Sequence, residues 1–226
     1  MCVICYVPRG VRLPSKDTIR AMWDKNPHGG GIVYKDSDNN VYYKKGYFDF
    51  DMFYNDLVEI SDVAVEMAMH TRIATSGGIN AEMCHPFRLS NCKDDLRCTS
   101  GEKCVEPIIM HNGMINIDIM KGLNDTCSYI IKKLYPRYKK HNAFMFDNQI
   151  VKKIENEIGY SKLLIMSQYP TKLIGDWKTD DDGCYYSNLY FKPRKQVDYG
   201  YNVYGYKYRN KYDLFDSYSD IYSDLD

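Results

Sequence analysis

The sequence predicts an α+β fold, in which antiparallel strands and helices form separate layers. Predicted strands come first, helices and further strands follow, and the regular β-α-β alternation of a parallel sheet is missing. The chain has 226 residues with an ordinary apolar content, so it is long enough to bury a core without stabilisation by disulfides or metal ions. We expect one domain over residues 1–195. Residues 196–226 predict a tail, because tyrosine, aspartate and serine there replace aliphatic residues.

Short apolar runs and capping residues predict the elements of the first half. An apolar, β-branched run over residues 2–7 predicts a buried strand. Ser15 and Asp49 are the expected N-caps of two helices. The glycine-rich residues 26–31 predict a loop, and a hairpin turn is expected at residues 36–40. The apolar residues at helical spacing are Ile19, Met22 and Trp23 in the first helix, and Phe50, Phe53, Leu57 and Ile60 in the second.

The second half alternates predicted strands with two helices. Residues 63–70 predict a strand, and the apolar runs 105–110 and 114–117 predict two more, joined by a tight link. Residues 125–134 predict a helix, and residues 162–167 a further strand. A helix between these two carries Ile150, Ile154 and Ile158 at helical spacing.

Charge and the N-terminus limit the classes of partner. The chain has 30 basic and 30 acidic side chains, so it gains little from neutralising phosphates, and nucleic-acid binding is not favoured. The first residues lack a secretory signal, and no window has the apolar length of a membrane span. We therefore expect a cytoplasmic protein (in the host cytoplasm if viral) with mostly reduced cysteines and no membrane partner.

Cys2 is the first candidate catalytic residue. Removal of Met1, which the small residue at position 2 permits, would leave a thiol and a free α-amine on Cys2. With a reference pKa of about 7.7–8.0, that amine can act as the base for its own thiol. Taken alone, a structural cysteine in the first strand is the better interpretation.

Two further motifs carry groups that bind carboxylates and oxyanions. Arg72, in HTRIATSGG at residues 70–78, follows a strand and can bind a substrate carboxylate, with Thr75 beside it. A structural salt bridge explains Arg72 equally well. In the His111-Asn112-Gly113 sequence, the Asn112 amide and the Gly113 N–H can both face one oxyanion. A plain Asn-Gly hairpin turn is the commoner reason for such a pair.

Asp125, at the start of a predicted helix, is the last candidate. Its carboxylate can bind a substrate ammonium group, or it can cap the helix, and the two roles are compatible.

The order of these elements resembles that of the class II glutamine amidotransferases, the glutaminase domains of the N-terminal-nucleophile (Ntn) hydrolases. The matching segments are HTRIATSGG, CHPF at residues 84–87, HNGMI at residues 111–115 and NDT at residues 124–126. Asn26–Gly31 further resembles the early glycine loop of that family. The likeness extends over roughly residues 2–190, and the small stand-alone members, some of them found in phages, are the nearest in size.

The resemblance implies a four-layer αββα sandwich with a role for each candidate residue. It implies that residues 1–195 form a glutamine amidotransferase type-2 domain. Cys2 would be the nucleophile and its amine the base, while Asn112 and Gly113 would form the oxyanion hole. Arg72 and Thr75 would bind the α-carboxylate of L-glutamine, and Asp125 its α-ammonium group. The reaction would pass through a glutamyl thioester and release ammonia, without a cofactor.

Three residues depart from the family pattern. Ile73 stands where an aromatic residue is frequent, Ser76 where some relatives have histidine, and Asn124 where serine is usual. These departures leave open an Ntn hydrolase of another amide, such as a γ-glutamyl or peptide bond. The chain also has no room for a synthase domain. A separate synthase subunit is therefore the expected partner, and a silent binding module on the same scaffold is the remaining alternative.

Other polar clusters predict no further site. The four cysteines Cys84, Cys92, Cys98 and Cys104 lack a Cys-x-x-Cys pair, so reduced cysteines are favoured over a zinc site. His28 and His85 are expected to be structural, and Asp180–Gly183 lacks the remaining ligands of a calcium loop. We expect no resident metal.

Overall fold

The computed structural model describes residues 2–74 and 78–192, and the predicted tail at 196–226 lies outside them. Within these ranges the chain forms eleven strands and six α-helices. The strands are β1 (Val3–Val7), β2 (Gly30–Lys35), β3 (Val41–Tyr47), β4 (Glu66–Thr71), β5 (Phe87–Arg88), β6 (Ser100–Gly101), β7 (Ile108–Asn112), β8 (Lys162–Met166), β9 (Lys172–Ile174), β10 (Lys178–Thr179) and β11 (Tyr185–Tyr186). The helices are α1 (Lys16–Lys25), α2 (Phe50–Ser61), α3 (Lys93–Arg97), α4 (Asp125–Tyr129), α5 (Tyr135–Lys140) and α6 (Asn148–Ile158).

The strands form two antiparallel sheets. The larger has the order β10-β11-β1-β4-β2-β3-β6, and the smaller has the order β5-β7-β8-β9. β1 lies inside the larger sheet between β11 and β4, with Val3 opposite Thr71. In the smaller sheet β7 pairs with β8, and Asn112 lies opposite Lys162. The expected α+β class is confirmed.

Three apolar clusters fill the space around these sheets. Alternate residues of β1 belong to different clusters, because successive side chains of a strand point to opposite faces. The cluster of α1, α2 and the larger sheet includes Val3, Cys5, Ile19, Trp23, Phe53 and Met69. The cluster shared by the two sheets includes Ile4, Tyr6, Val33, Ala68, Met110 and Leu164. The cluster of α4, α6 and the smaller sheet includes Ile109, Ile130, Leu134, Ile154, Leu163 and Ile165. The four-layer αββα order that the resemblance implies stays a prediction.

The helix starts follow the capping residues in the sequence. The side chains of Ser15 and Asp49 accept hydrogen bonds from Thr18 N and Met52 N, so both caps are as predicted. The helix predicted at residues 125–134 is α4 followed by one π turn, Ile130–Leu134, which leads into α5. No helix among residues 2–74 and 78–192 combines the length and the apolar content that crossing a membrane requires.

Two local predictions were wrong. Residues 114–117 form no strand, because a positive φ of 134° at Gly113 turns the chain out of β7. Ile115 N then donates to the Asp125 carboxylate (2.9 Å) and the Ile115 side chain packs on the helix side of the smaller sheet. The loop predicted at residues 26–31 is also too long, since β2 already begins at Gly30. Gly31 is needed there because a Cβ would lie 1.9 Å from the carbonyl oxygen of His85.

Candidate active site

Cys2 lies directly before β1, beside the segment that carries Arg72. The antiparallel pairing of Val3 with Thr71 brings the two segments together. The Sγ atom of Cys2 is 3.4 Å from the backbone nitrogen of Ile73 and 3.5 Å from its carbonyl oxygen. The nucleophile candidate and the predicted carboxylate-binding segment are therefore in direct contact, although 71 residues separate them in sequence.

The surroundings of the thiol favour its protonated form. Burial raises the pKa of Cys2, while the Ile73 N–H and the positive charge of Arg72 act in the opposite direction. A thiol with a raised pKa is protonated at neutral pH and needs a base before it can attack a carbonyl. The α-amine that Met1 removal would expose is such a base on the same residue.

Arg72 is held in place by its backbone and its side chain. Its backbone N–H donates to Gly29 O (2.8 Å), and its carbonyl accepts from His28 N (2.9 Å). The guanidinium group is buried and donates to Gly78 O through Nη1 (2.8 Å). His28 has the structural role predicted for it, since its Nδ1 accepts a hydrogen bond from Ala74 N (3.0 Å). Thr75 lies outside the described residues.

Asn112 and Gly113 lie at the end of β7 and not in a hairpin turn. Asn112 is buried, and its Nδ2 atom is 2.8 Å from Ser187 Oγ. The same Oγ accepts from the backbone N–H of Ile4 in β1 at 2.8 Å. Gly113 packs so closely on Ser161 that a Cβ would lie 2.2 Å from its Oγ. The glycine of the Asn-Gly pair is therefore explained by its close approach to Ser161, the residue before β8, and the hairpin alternative is excluded.

Asp125 is the first residue of α4 but not its cap. Asn124 is the N-cap, with its side chain accepting from Cys127 N, so the capping alternative for Asp125 was wrong. The Asp125 carboxylate accepts one backbone N–H on each oxygen, from Ile115 (2.9 Å) and Thr126 (2.8 Å). The Thr126 hydroxyl also lies 3.5 Å from Oδ1. A carboxylate offers about four acceptor positions, so at least one remains for a further donor such as an ammonium group.

Three buried histidines lie beneath these residues. The ring centroids of His70 and His85 are 4.4 Å apart, and those of His85 and His111 are 6.3 Å apart. The Thr126 hydroxyl lies 2.9 Å from His111 Nδ1 and 3.3 Å from His85 Nε2. Burial lowers the pKa of His70 to about 3 and that of His111 to about 4, and it lowers the pKa of His85 well below the usual value. All three rings are therefore neutral at pH 7.

Two residues that contact the candidate site were not predicted from the sequence. Ser187 and Asn188 follow β11, and Asn188 Nδ2 donates to the carbonyl oxygen of Cys2 at 2.7 Å. Ser187 joins Ile4 to Asn112. A serine and an asparagine after a short strand match no sequence motif. Their position next to Cys2 and Asn112 follows only from the pairing of β11 with β1.

The cysteines predicted to be reduced are all free in the structure. Cys84 and Cys104 are buried, whereas Cys92 and Cys98 are exposed. Across residues 2–74 and 78–192, no group of three or more histidine, cysteine, aspartate or glutamate side chains has a metal-binding arrangement. The zinc alternative therefore has no ligand set in the described part of the chain.

The fold is shared with an amidotransferase of known structure. That structure is glutamine phosphoribosylpyrophosphate (PRPP) amidotransferase from B. subtilis, in complex with ADP and GMP. The match has a TM-score of 0.51 and 14% identity, and it covers 82% of this chain and 41% of that one. At this identity the likeness concerns the fold alone.

A second solved structure, of the allosteric regulatory enzyme of purine biosynthesis, has a TM-score of 0.49 and 16% identity, with the same coverage of 82% and 41%. The chain thus spans about two fifths of the length of both neighbours. No protein-family model matches the chain. No curated protein sequence matches it either.

Proposed function

We propose that the chain is a glutamine amidohydrolase that uses the thiol of Cys2 as its nucleophile and the α-amine of Cys2, freed by removal of Met1, as the base. The observation that carries the proposal is the contact of Cys2 Sγ with the backbone of Ile73, directly after Arg72. A substrate whose carboxylate pairs with Arg72 would have the rest of its chain next to the thiol. The shared fold supports the proposal at the level of the scaffold.

In the proposed reaction, the α-amine of Cys2 takes the thiol proton, and the sulfur attacks the side-chain amide carbon of glutamine. The negative charge moves to the carbonyl oxygen, where Asn112 and Gly113 would donate hydrogen bonds. Collapse of this intermediate breaks the C–N bond, and the protonated amine returns its proton to the leaving ammonia. The glutamyl thioester then reacts with water, which gives glutamate and restores the thiol.

The binding roles follow the charges of the site. Arg72 and Thr75 would bind the α-carboxylate of glutamine, and Asp125 would bind the α-ammonium group. The buried guanidinium and the remaining acceptor position of the Asp125 carboxylate suit these roles. We further propose that the ammonia serves a separate synthase subunit in the cytoplasm, as in a small stand-alone member of the phage type.

The proposal is tested on protein whose N-terminus has been read by mass spectrometry. Protein lacking Met1 should release ammonia and glutamate from L-glutamine in equal amounts. The Cys2→Ala variant keeps a small second residue, so it should still lose Met1 but release no ammonia. Cys92→Ala, which changes an exposed cysteine, is the matched control and should be as active as the parent. Absence of turnover in the processed protein, or turnover that survives Cys2→Ala, would refute the proposal.

Hydrolysis of another amide is the second candidate, favoured by Ile73, whose backbone lines the thiol where relatives frequently have an aromatic residue. A panel of glutamine, γ-glutamyl peptides and short peptides separates the two activities. Glutamine as the best substrate would reject this second candidate. Stoichiometric labelling of Cys2 by a glutamine-analogue electrophile would reject a silent binding module.

A further inference from the structure

Ser187 connects the two sheets at the candidate site. It is buried, with 2% of its surface exposed, and it follows β11 at the edge of β1. Its backbone N–H donates to Ile4 O (2.9 Å), and its Oγ accepts from Ile4 N (2.8 Å). These two bonds leave the Ser187 side chain little freedom. Its third contact, with Asn112 at 2.8 Å, is the only one that reaches β7.

The hydrogen bonds around Asn112 are incomplete when its nitrogen faces Ser187. In that orientation Asn112 Oδ1 is buried and has no hydrogen-bond partner among the residues that the structure describes. The Ser187 hydroxyl then accepts from Ile4 and from Asn112, and its own hydrogen has no acceptor in the described part of the chain. A buried polar group left without a partner costs about 1–3 kcal/mol, so this orientation is unfavourable.

A half turn of the Asn112 amide gives the Ser187 hydroxyl an acceptor and makes the unpaired group of Asn112 a donor instead of an acceptor. The oxygen and nitrogen of an amide have almost the same shape, so they exchange places without moving any other atom. Asn112 Oδ1 then accepts from the Ser187 hydroxyl, which still accepts from Ile4 N. Asn112 Nδ2 then occupies the buried position for which residues 2–74 and 78–192 supply no hydrogen-bond partner. A substrate oxygen can supply that acceptor.

We propose that Ser187 is a positioning residue that orients the Asn112 amide with its N–H groups toward the oxyanion. This inference rests on the proposed function, because it gives Asn112 the role of oxyanion donor. Ser187 acts by donating its hydroxyl hydrogen to Asn112 Oδ1 while its oxygen still accepts from Ile4 N. The residue thus couples the strand after the nucleophile to the oxyanion donor of the other sheet.

The test is a double-mutant cycle on processed protein, with rates per active site titrated by a glutamine-analogue electrophile. Removing an oxyanion donor lowers kcat by about 10²–10³-fold, which is the expected effect of Asn112→Ala. Ser187→Ala should lower kcat about tenfold or more with little change in KM. In the Asn112→Ala background, Ser187→Ala should have almost no further effect. Ser167→Ala removes a buried hydroxyl that accepts Tyr169 N beyond the far end of β8, and it should leave kcat unchanged.

Two results would overturn the role of Ser187. One is a double variant whose fall in kcat equals the product of the falls in Ser187→Ala and Asn112→Ala. The other is an unchanged kcat per titrated site in Ser187→Ala. If the parent protein does not hydrolyse glutamine, the proposed function fails on its own, and urea unfolding of the same four proteins decides about Ser187. A coupled shift of the urea midpoint supports the Ser187–Asn112 bond, and additive shifts reject it.

Discussion

The three buried histidines make the stability of the fold sensitive to mild acid. His70, His85 and His111 lie close together, and burial is the largest cause of the lowered pKa of each. The charge of Arg72 adds to the effect on His70 and His85, whereas Asp125 opposes it on His111. Because the pKa in the folded state is lower than in the unfolded state, the unfolded chain takes up protons first as the pH falls. Stability is therefore complete above the unfolded pKa of 6.5 and declines below it.

The size of the loss follows from the two pKa values of about 3 and about 4 for His70 and His111. At pH 5 each of these residues lowers the free energy of unfolding by about 2 kcal/mol relative to pH 7. The two together remove about 4 kcal/mol, and His85 adds to this loss. A domain of this kind has a total stability of about 5–15 kcal/mol, so the change is large enough to measure.

Urea unfolding between pH 7 and pH 5 measures this loss directly. His111→Gln should flatten the dependence on pH, because one of the protons taken up on unfolding is removed. His141→Gln, the same substitution at an exposed histidine, is the matched control. A free energy of unfolding that stays constant between pH 7 and pH 5 would refute the reasoning, as would a slope that His111→Gln does not alter.

Three further changes have defined outcomes. Gly113→Ala should destabilise the fold by about 2 kcal/mol or more, because φ is 134° and the new Cβ would collide with Ser161. Gly159→Ala, at a glycine with positive φ in open space, should cost less. Urea unfolding of both variants measures the difference. Asn124→Ala should remove the α4 cap and about 1 kcal/mol, whereas Asn124→Ser should restore most of it, and equal midpoints for the two would contradict this. Asn188→Ala should lower kcat without preventing folding, because it removes the hydrogen bond to the carbonyl oxygen of Cys2. Circular dichroism tests folding, and the rate of ammonia release tests kcat. A rate equal to that of the parent would contradict this prediction.

Local sequence patterns were sufficient to predict most helices and the central strands. Ser15 and Asp49 cap the predicted helices because a cap depends on residues three positions apart. The strand at residues 162–167 was predicted from its apolar run, and β8 spans Lys162–Met166. The run at residues 114–117 was just as apolar but forms no strand, since its backbone is engaged by Asp125. Apolarity predicts burial and does not say which partner satisfies the backbone.

The candidate site divides in the same way. The sequence predicts Cys2, Arg72, Asn112, Gly113 and Asp125 as site residues from their chemical types and their order along the chain, and their roles stay predictions. Ser187 and Asn188 were not, because a serine and an asparagine acquire their roles only from what lies beside them.

The sequence by itself determined the α+β class, the main capped helices and the order of the chemical groups, since each depends on residues near one another in the chain. Only the tertiary structure decided that Cys2 contacts Ile73 across 71 residues and that Ser187 links β1 to Asn112. It also decided that Asn124, and not Asp125, caps α4. The reason is physical: strand register and side-chain hydrogen bonds between distant segments arise from the packing of two sheets, which no local pattern encodes.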